Sequence, residues 1–220
     1  MTKLKGILLT EGMHGMISQV EGLAKALDIE FIHEKIVINN FWKIIPPRFT
    51  PIKKFVFKNN LKKDFNIVIS CGRKSVIPSI FLKKKYRNKI VNIHIQDPKV
   101  SLKNFDFIVV PEHDNLVGEN VLQSKGAIHY LQENELEKSK NYLKSEIKKE
   151  KLVTLIMGGP NKYYDYNDED IDKIFKKIKE NFINNGYQLV FIPSMRTPQI
   201  IIDKAKNYYN ENQIIITLDE

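Results

Sequence analysis

Several kinds of residue and segment are scarce in this chain of 220 residues. Its single cysteine, Cys71, excludes an internal disulfide and any metal site built from several cysteines. No stretch approaches the ~18 consecutive apolar residues of a membrane span. The first apolar run ends at Glu11 and is shorter than the ~7–15 residues of a signal peptide. We therefore expect a first β-strand there and a cytoplasmic protein.

Arginine is also scarce, although the formal net charge is +9. The basic residues are nearly all lysines, and several lie near the ends of predicted helices, where cations are favourable. We therefore do not expect a nucleic-acid partner. One basic segment follows Pro46 and Pro47, and its lysines are interleaved with Phe55 and Phe57. For this segment, a peripheral contact with an anionic inner membrane is an alternative to a solvated surface. The lysines of the segment are Lys53, Lys54, Lys58, Lys62 and Lys63.

Strand-like apolar runs alternate with helical patterns, which predicts parallel sheets covered by helices on both faces. Strands are predicted at 4–10, 29–37, 66–71, 91–95 and 105–110, with helices at 16–27 and from Gly72 onward. A charged bridging helix is predicted at 132–149. Strands then follow at 152–157, 187–192 and 213–218, with helices at 168–184 and 199–209. We predict two Rossmann-like domains, 1–145 and 146–220, of which the second is incomplete, since it supplies about half of a doubly wound sheet.

Polar or glycine-containing loops follow most of the predicted strands, at the edge of the sheet where α/β proteins bind ligands. Each loop is a weak signal alone, and their shared location is what indicates a binding site. The candidate binding residues are Gly12, Gly15, Gly72, Arg73, Ser75, Gln96, Asp97, Gly158, Gly159, Asn161, Arg196 and Thr197.

The loop after the fifth strand is the strongest candidate for catalysis. His113 is flanked by Glu112 and Asp114, and a histidine beside a carboxylate can act as a general base. A structural ion-pair network explains these residues equally well. His14 is a second candidate proton acceptor or a solvated turn histidine. We expect no metal site, because no second histidine lies at a suitable spacing from His113.

The binding candidates also have ordinary structural explanations. Gly12 and Gly15 let the backbone approach an anion or simply make a tight turn. Arg73 is a forked donor suited to phosphate or a solvated residue at a helix start. Asp97 precedes a proline, a pattern that often only initiates a turn.

Taken in order, these motifs resemble those of the mitochondrial-fission elongated-mitochondria family, whose bacterial members are often labelled nucleoside-diphosphate-sugar epimerases. The resemblance covers the whole chain. It is carried by GMHG at 12–15, CGRKS at 71–75, IQDP at 95–98, VPEHD at 110–114, NVL at 120–122, GAIH at 126–129, GGP at 158–160 and SMRTP at 194–198.

The resemblance implies a glycosyltransferase of the B type, with two Rossmann-like domains and a nucleotide sugar in the cleft between them. Loop 12–15 would face the acceptor or the diphosphate, and loops 158–161 and 194–198 would face the donor. Family members continue with further strands, so the resemblance also implies a C-terminally truncated chain.

The activity expected from the resemblance is glycosyl transfer without a metal or a cofactor. Arg73 and Arg196 would balance the diphosphate charge, and His113 beside Glu112, or else His14, would accept the acceptor's proton. The alternative is a non-enzymatic adaptor at a membrane surface, since plant members are associated with recruiting fission machinery to mitochondria.

Overall fold

The computed structural model describes residues 4–61, 64–161 and 163–217, and the chain forms two compact units, Met1–Glu133 and Asn134–Glu220. Each unit is built on a parallel β-sheet. The first unit contains β1 (Lys5–Thr10), α1 (His14–Ala26), β2 (Glu30–Lys35), β3 (Ile67–Cys71), α2 (Val76–Tyr86), β4 (Val91–Ile95), β5 (Phe107–Pro111) and β6 (Val121–Ser124). Then follow α3 (Glu133–Ser139), β7 (Lys151–Met157), α4 (Asp168–Asn181), β8 (Tyr187–Pro193), α5 (Gln199–Tyr208) and β9 (Ile214–Ile216).

The six strands of the first unit are parallel and lie in the order β2-β1-β3-β4-β5-β6. From β1 the chain passes to β2 on one side, and β3 then begins on the other side of β1. The strand order therefore reverses at the carboxyl ends of β1 and β3, the position where open α/β sheets form a ligand-binding crevice.

Continuous apolar strands allow this sheet to be covered on both faces. All five residues of β3 are buried. Ile69 and Cys71 belong to the cluster that α1 covers through Val20 and Ala24, whereas Val68 belongs to the cluster on the opposite face. The period-2 alternation of side chains thus assigns successive residues of β3 to two different cores.

Gly22 in α1 permits one close approach in this unit. A Cβ at this position would lie 2.5 Å from the carbonyl carbon and oxygen of His129. The helix can therefore contact the 128–130 segment only because residue 22 has no side chain.

A long irregular segment, residues 36–61, connects β2 to β3. It contains three short 3-10 turns, Asn40–Lys43, Pro47–Phe49 and Lys54–Val56. Trp42 and the buried Val56 attach the segment to the core of the first unit. This agrees with the irregular stretch predicted around Trp42.

The second unit has a three-stranded parallel sheet in the order β7-β8-β9. The helix α4 is preceded by its N-cap Asn167, whose side chain accepts a hydrogen bond from the backbone N–H of Asp170. It buries Phe175, whose carbonyl accepts a 2.7 Å hydrogen bond from the hydroxyl of Tyr209. The prediction of an α/β chain with a large and a smaller parallel sheet is confirmed.

Two details of the prediction differ from the structure. The predicted helix at 132–149 is helical only over Glu133–Ser139 and then continues as turns. None of the residues of α3 is buried, and a short helix without a packed face is marginal in water. The strand β6 was not predicted, because it has only four residues, none of them buried.

The remaining sequence predictions concern boundaries and a membrane. Contacts group the segment from Asn134 onward with the second unit, and the domain boundary near residue 145 stays a prediction. Leu218, the last residue of the final predicted strand, lies outside the described residues, as do Lys62 and Lys63. Within the described part of the chain, no helix combines the length and apolarity needed to traverse a bilayer.

Candidate ligand-binding site

Two open clefts lie side by side at the carboxyl edge of the first sheet. The first, here called the His113 cleft, measures about 460 Å³ and is lined by Gln19, Gln96, Asp97, Lys99, Pro111, His113, Asp114 and Ala127. The second, called the His94 cleft, measures about 290 Å³ and is lined by Pro46, Pro47, Gly72, Arg73, His94, Gln96, Asp97, Pro98 and Lys99. The loop after β4 is therefore a wall shared by both clefts.

The shared loop has an unusual backbone. Gln96 and Lys99 have φ angles of +83° and +53°, in a region that side-chain-bearing residues adopt at a cost. The carboxylate of Asp97 accepts hydrogen bonds from the backbone N–H of Lys99 at 2.8 Å and from its Nζ at 2.5 Å. Burial alone would raise the pKa of Asp97, but the hydrogen bonds from Lys99 outweigh it and hold that pKa below its usual value. The loop thus keeps a carboxylate ionised between two clefts.

The predicted catalytic segment forms a single 3-10 turn, Glu112–Asp114, which ends at Asn115 in the left-handed conformation with φ +51°. His113 and Asp114 both line the His113 cleft, and the distance from Nε2 of His113 to Oδ1 of Asp114 is 3.7 Å. The His113 side chain is 76% exposed. Glu112 is exposed and does not line either cleft.

The loops at the strand reversal are held together by Glu11. Its carboxylate accepts a 3.0 Å hydrogen bond from the backbone N–H of Lys74 and lies 2.7 Å from Nζ of the same residue. Gly12 and Gly72 have φ angles of +87° and +89°, which glycine adopts without steric cost. Sequence reasoning did not select Glu11, because a carboxylate after a strand has no distinctive motif.

The candidates on α1 lie elsewhere. His14 is the first residue of α1 and is exposed, and Gly15 is exposed beside it. Neither residue lines the two clefts. The structure therefore brings His113, but not His14, together with Gln96 and Asp97.

Arg73 lines the His94 cleft and also anchors the irregular segment 36–61. One of its terminal nitrogens, Nη2, donates to the carbonyl of Ile44 at 3.0 Å and to that of Lys43 at 3.4 Å. Ser75 is buried, and its hydroxyl donates to the carbonyl of Gly72 at 2.7 Å. Of these two predicted anion-binding side chains, Arg73 lies in a cleft and Ser75 shapes the loop behind it.

A buried polar pair on β3 and β4 was missed by sequence reasoning. Ser70 and His94 are register partners, and the Ser70 hydroxyl lies 2.8 Å from Nδ1 of His94. Burial lowers the pKa of His94 to about 3, against a weaker opposing effect of Asp97. A single histidine in an apolar strand resembles an ordinary core residue, and the strand register that pairs it with Ser70 cannot be read from sequence.

The loops of the second unit are fastened to each other by Thr197 and Gly159. The Thr197 hydroxyl donates to the carbonyl of Met157 at 2.7 Å and accepts from the backbone N–H of Ser194 at 2.8 Å. A Cβ on Gly159 would collide with the backbone of Arg196. This close packing is a structural reason for the glycine.

The other polar groups of these loops differ in whether hydrogen bonds within the loops already occupy them. The Asn161 side chain accepts hydrogen bonds from the backbone N–H groups of Tyr163 and Tyr164 at 2.8 and 3.2 Å. Gly158 accepts a 3.1 Å hydrogen bond from the hydroxyl of Tyr166. The side chain of Arg196 is exposed. Among the described residues, no group of three or more His, Cys, Asp or Glu side chains could hold a metal ion.

The family model for mitochondrial fission ELM1 matches residues 14–220. The chain belongs to the mitochondrial fission ELM1 family. This confirms the family resemblance carried by the sequence motifs. The match includes the loops of both clefts and the loop pair of the second unit, so the candidate site lies within the part of the chain that the family model describes.

One curated relative of this ELM1-family chain is the uncharacterized protein RP120 of Rickettsia prowazekii (strain Madrid E). The two are 25% identical over 68% of this chain and 51% of RP120. The chain thus spans about half the length of the curated relative it matches.

Two solved structures align with nearly the whole of this chain. The UDP-GlcNAc 2-epimerase of Methanocaldococcus jannaschii aligns over 98% of this chain and 74% of its own, with 15% identity and a TM-score of 0.52. S. aureus MnaA, solved with UDP, aligns over 100% of this chain and 70% of its own, with 13% identity and a TM-score of 0.43. At 15% identity, the likeness to the epimerase shows a common fold and no more.

Proposed function

We propose that this chain is a glycosyltransferase-like protein that binds a nucleotide sugar. The observation that carries the proposal is the pair of adjoining clefts at the carboxyl edge of the first sheet, with the Gln96–Lys99 loop as their shared wall. Ligands of open α/β sheets bind at this edge. The fold is shared with a protein named UDP-GlcNAc 2-epimerase, which makes a nucleotide sugar the first ligand to test.

The side chains around the clefts fit the parts of such a ligand. The amide of Gln96 and the carboxylate of Asp97 suit sugar hydroxyls, since they offer both donors and acceptors. Arg73, which lines the His94 cleft, offers a guanidinium group, which pairs with phosphate oxygens. Each half of the ligand would thus meet groups of complementary chemistry.

In the proposed reaction, an acceptor hydroxyl attacks the anomeric carbon of the bound sugar. The bond from that carbon to the diphosphate oxygen breaks, and the nucleoside diphosphate leaves with the bonding electrons. His113 would take the acceptor's proton, because it lines a cleft and lies beside Asp114. His14 is the weaker candidate, because it lies outside both clefts.

Calorimetry with UDP- and CMP-sugars tests this proposal. We expect a dissociation constant below ~1 mM for at least one of them, and we expect Arg73→Ala, at an exposed arginine that lines the His94 cleft, to weaken it by roughly tenfold or more, as loss of a hydrogen bond to a charged group does. Arg87→Ala is the matched control, because Arg87 is also exposed and lines neither cleft. Absence of binding, or equal affinities for the two variants, would argue against nucleotide-sugar binding.

A separate assay tests the proposed role of His113. His113→Gln should lower the rate of nucleoside-diphosphate release with little change in affinity, because the proton acceptor is lost and the ligand contacts remain. An unchanged rate would remove His113 from the mechanism.

A second candidate function, a contact with an anionic membrane surface, is favoured by one observation on segment 36–61. Residues 36–63 contain no Asp or Glu but seven Lys or Arg residues. Four large apolar side chains there are exposed, by 58% to 83%, and they are Phe41, Ile44, Phe49 and Phe55. Exposed apolar groups interleaved with cations are typical of interfacial binding.

Flotation with vesicles of neutral or anionic lipid tests the membrane contact. The chain should float with anionic vesicles, and charge reversal of Lys53 and Lys54 to Glu should release it, since each cation near such a surface contributes about 1 kcal/mol. Charge reversal of Lys84 and Lys89, which are exposed in the same unit, is the control. Equal flotation of both double variants would exclude this surface.

A further inference from the structure

The Ser70–His94 pair is an unusual feature of the core. On β3 and β4 the flanking Ile69, Cys71, Ile93 and Ile95 are apolar and buried. Ser70 is fully buried and His94 is 1% exposed. Two polar side chains at this depth must form hydrogen bonds with each other or with a ligand, because an unpaired buried polar group costs free energy.

The contacts of Ser70 favour one of the two tautomers of His94. A serine hydroxyl has one hydrogen, and the carbonyl of Ile93 lies 3.2 Å from that of Ser70, in position to accept it. A hydroxyl that donates to this carbonyl accepts the 2.8 Å hydrogen bond from His94, which makes Nδ1 the donor. In a neutral ring Nε2 is then left unprotonated, with a free lone pair.

This lone pair is directed at the His94 cleft. The ring lines that cleft, and its Nδ1 is turned to Ser70 on the neighbouring strand. Within the described ranges, no hydrogen bond is made by Nε2, and it is not among the fully enclosed polar atoms. A histidine that is 99% buried thus presents one acceptor atom to a cleft of about 290 Å³.

The groups around Nε2 indicate which part of a ligand lies against it. A neutral acceptor repels a phosphate oxygen, which brings no hydrogen to the contact, and it attracts a hydroxyl group. The side-chain amide of Gln96 and the ionised Asp97 stand beside it, and together these groups match neighbouring hydroxyls. Pro46, Pro47 and Pro98 supply apolar surface for the carbon face of a ring.

We propose that His94 Nε2 accepts a hydrogen bond from a sugar hydroxyl in the His94 cleft, so that the sugar, not the nucleotide, is held against β4. The proposal rests on the proposed function only for the attachment of that sugar to a nucleotide. His94 is a binding residue in this assignment, and Ser70 is a positioning residue that sets its tautomer.

Two substitutions separate the two nitrogens of the ring. His94→Asn retains a donor near the position of Nδ1 and loses the acceptor in the cleft. His94→Gln reaches toward the position of Nε2 and retains an acceptor there. We expect His94→Asn to weaken UDP-GlcNAc about fivefold to tenfold, the effect of one hydrogen bond, and His94→Gln to bind within about threefold of the wild type. Affinity for UMP should be equal in all three proteins.

Nuclear magnetic resonance of ¹⁵N-histidine-labelled wild-type chain tests the proposal without any variant. The ring should show the Nδ1–H tautomer, and the Nε2 signal should move on addition of free N-acetylglucosamine but not of UMP. The opposite tautomer, an immobile Nε2 signal with the sugar, or a shift caused by UMP would each overturn the assignment.

The outcome also distinguishes this assignment from the proposed function. If free N-acetylglucosamine moves the Nε2 signal but calorimetry detects no UDP- or CMP-sugar binding, the nucleotide-sugar proposal fails and the His94 assignment stands. If UDP-GlcNAc binds while the Nε2 signal stays in place and His94→Asn binds as the wild type does, the His94 assignment fails alone.

Discussion

Acidification should destabilise the first unit through His94. Burial lowers the pKa of this ring to about 3, whereas a histidine in an unfolded chain has a pKa of ~6.5. Between these values the unfolded state binds a proton that the folded state does not. The stability that comes from the neutral ring is therefore complete above pH ~6.5 and is lost progressively as the pH falls toward 3.

The size of this effect follows from the pKa difference. Each pH unit inside the window costs about 1.4 kcal/mol, so a change from pH 7 to pH 5 should remove about 2 kcal/mol from the free energy of unfolding. Trp42 is the only tryptophan and packs against the core of the first unit. Its fluorescence during urea denaturation thus reports on the unit that contains His94.

His94→Gln is the comparison protein, because glutamine does not titrate. Its stability should fall by about 2 kcal/mol less than that of the wild type between pH 7 and pH 5. Other groups titrate equally in both proteins, including His33, whose pKa is also lowered by burial. If the two stabilities fall in parallel with pH, the ring is not held neutral and Nε2 is not a free acceptor.

Three further stability predictions use the same urea titration. Glu11→Ala should lower the free energy of unfolding by about 2 kcal/mol, since the N–H of Lys74 loses a charged acceptor. Glu11→Gln keeps an acceptor and should lower it by less than about 1 kcal/mol. Equal losses would refute the role of the hydrogen bond. Ser79→Ala should raise stability by roughly 1 kcal/mol, because among the described residues its hydroxyl oxygen is the one fully enclosed side-chain N or O atom without a hydrogen-bond partner. A loss of stability would reveal a hidden contact. Gly22→Ala should lower the free energy of unfolding by about 1–3 kcal/mol, because the new Cβ overpacks the helix against its neighbour. Gly15→Ala has open space around its Cβ and should raise the free energy of unfolding by up to about 1 kcal/mol. Similar effects at both positions would contradict the close approach at Gly22.

Much of the fold could be predicted because its elements are long or strongly apolar. The predicted strand at 91–95 coincides with β4, and the predicted helices at 16–27 and 168–184 contain most of α1 and α4. Prediction failed where packing between elements, and not the local sequence, determines the secondary structure. The charged segment after residue 132 has helical composition but no surface to pack against, and β6 is ordered by its neighbour β5 and not by its own sequence.

The candidate site was only partly accessible from the sequence. Gln96, Asp97 and His113 follow predicted strands, so their common edge could be expected, and the structure places them in one cleft. Glu11 and His94 could not be selected, because their importance depends on strand order and register. A carboxylate at the end of β1 reaches Lys74 only because β3 is its neighbour in the sheet.

The strand order of the first sheet also sets when this unit can fold during synthesis. β1 is the second strand from one edge, yet its inner partner is β3, whose Ile67 pairs with Gly6. The ribosome must add more than sixty residues after β1 before this strand contact can form, and until then the apolar side chains on both faces of β1 lack it. Contacts between residues so far apart in sequence slow folding and prolong the exposure of aggregation-prone apolar surface. A nascent chain should therefore lack the core around β1 until the residues up to Ile90 have left the ribosome, and its need for chaperones should be greatest before that point.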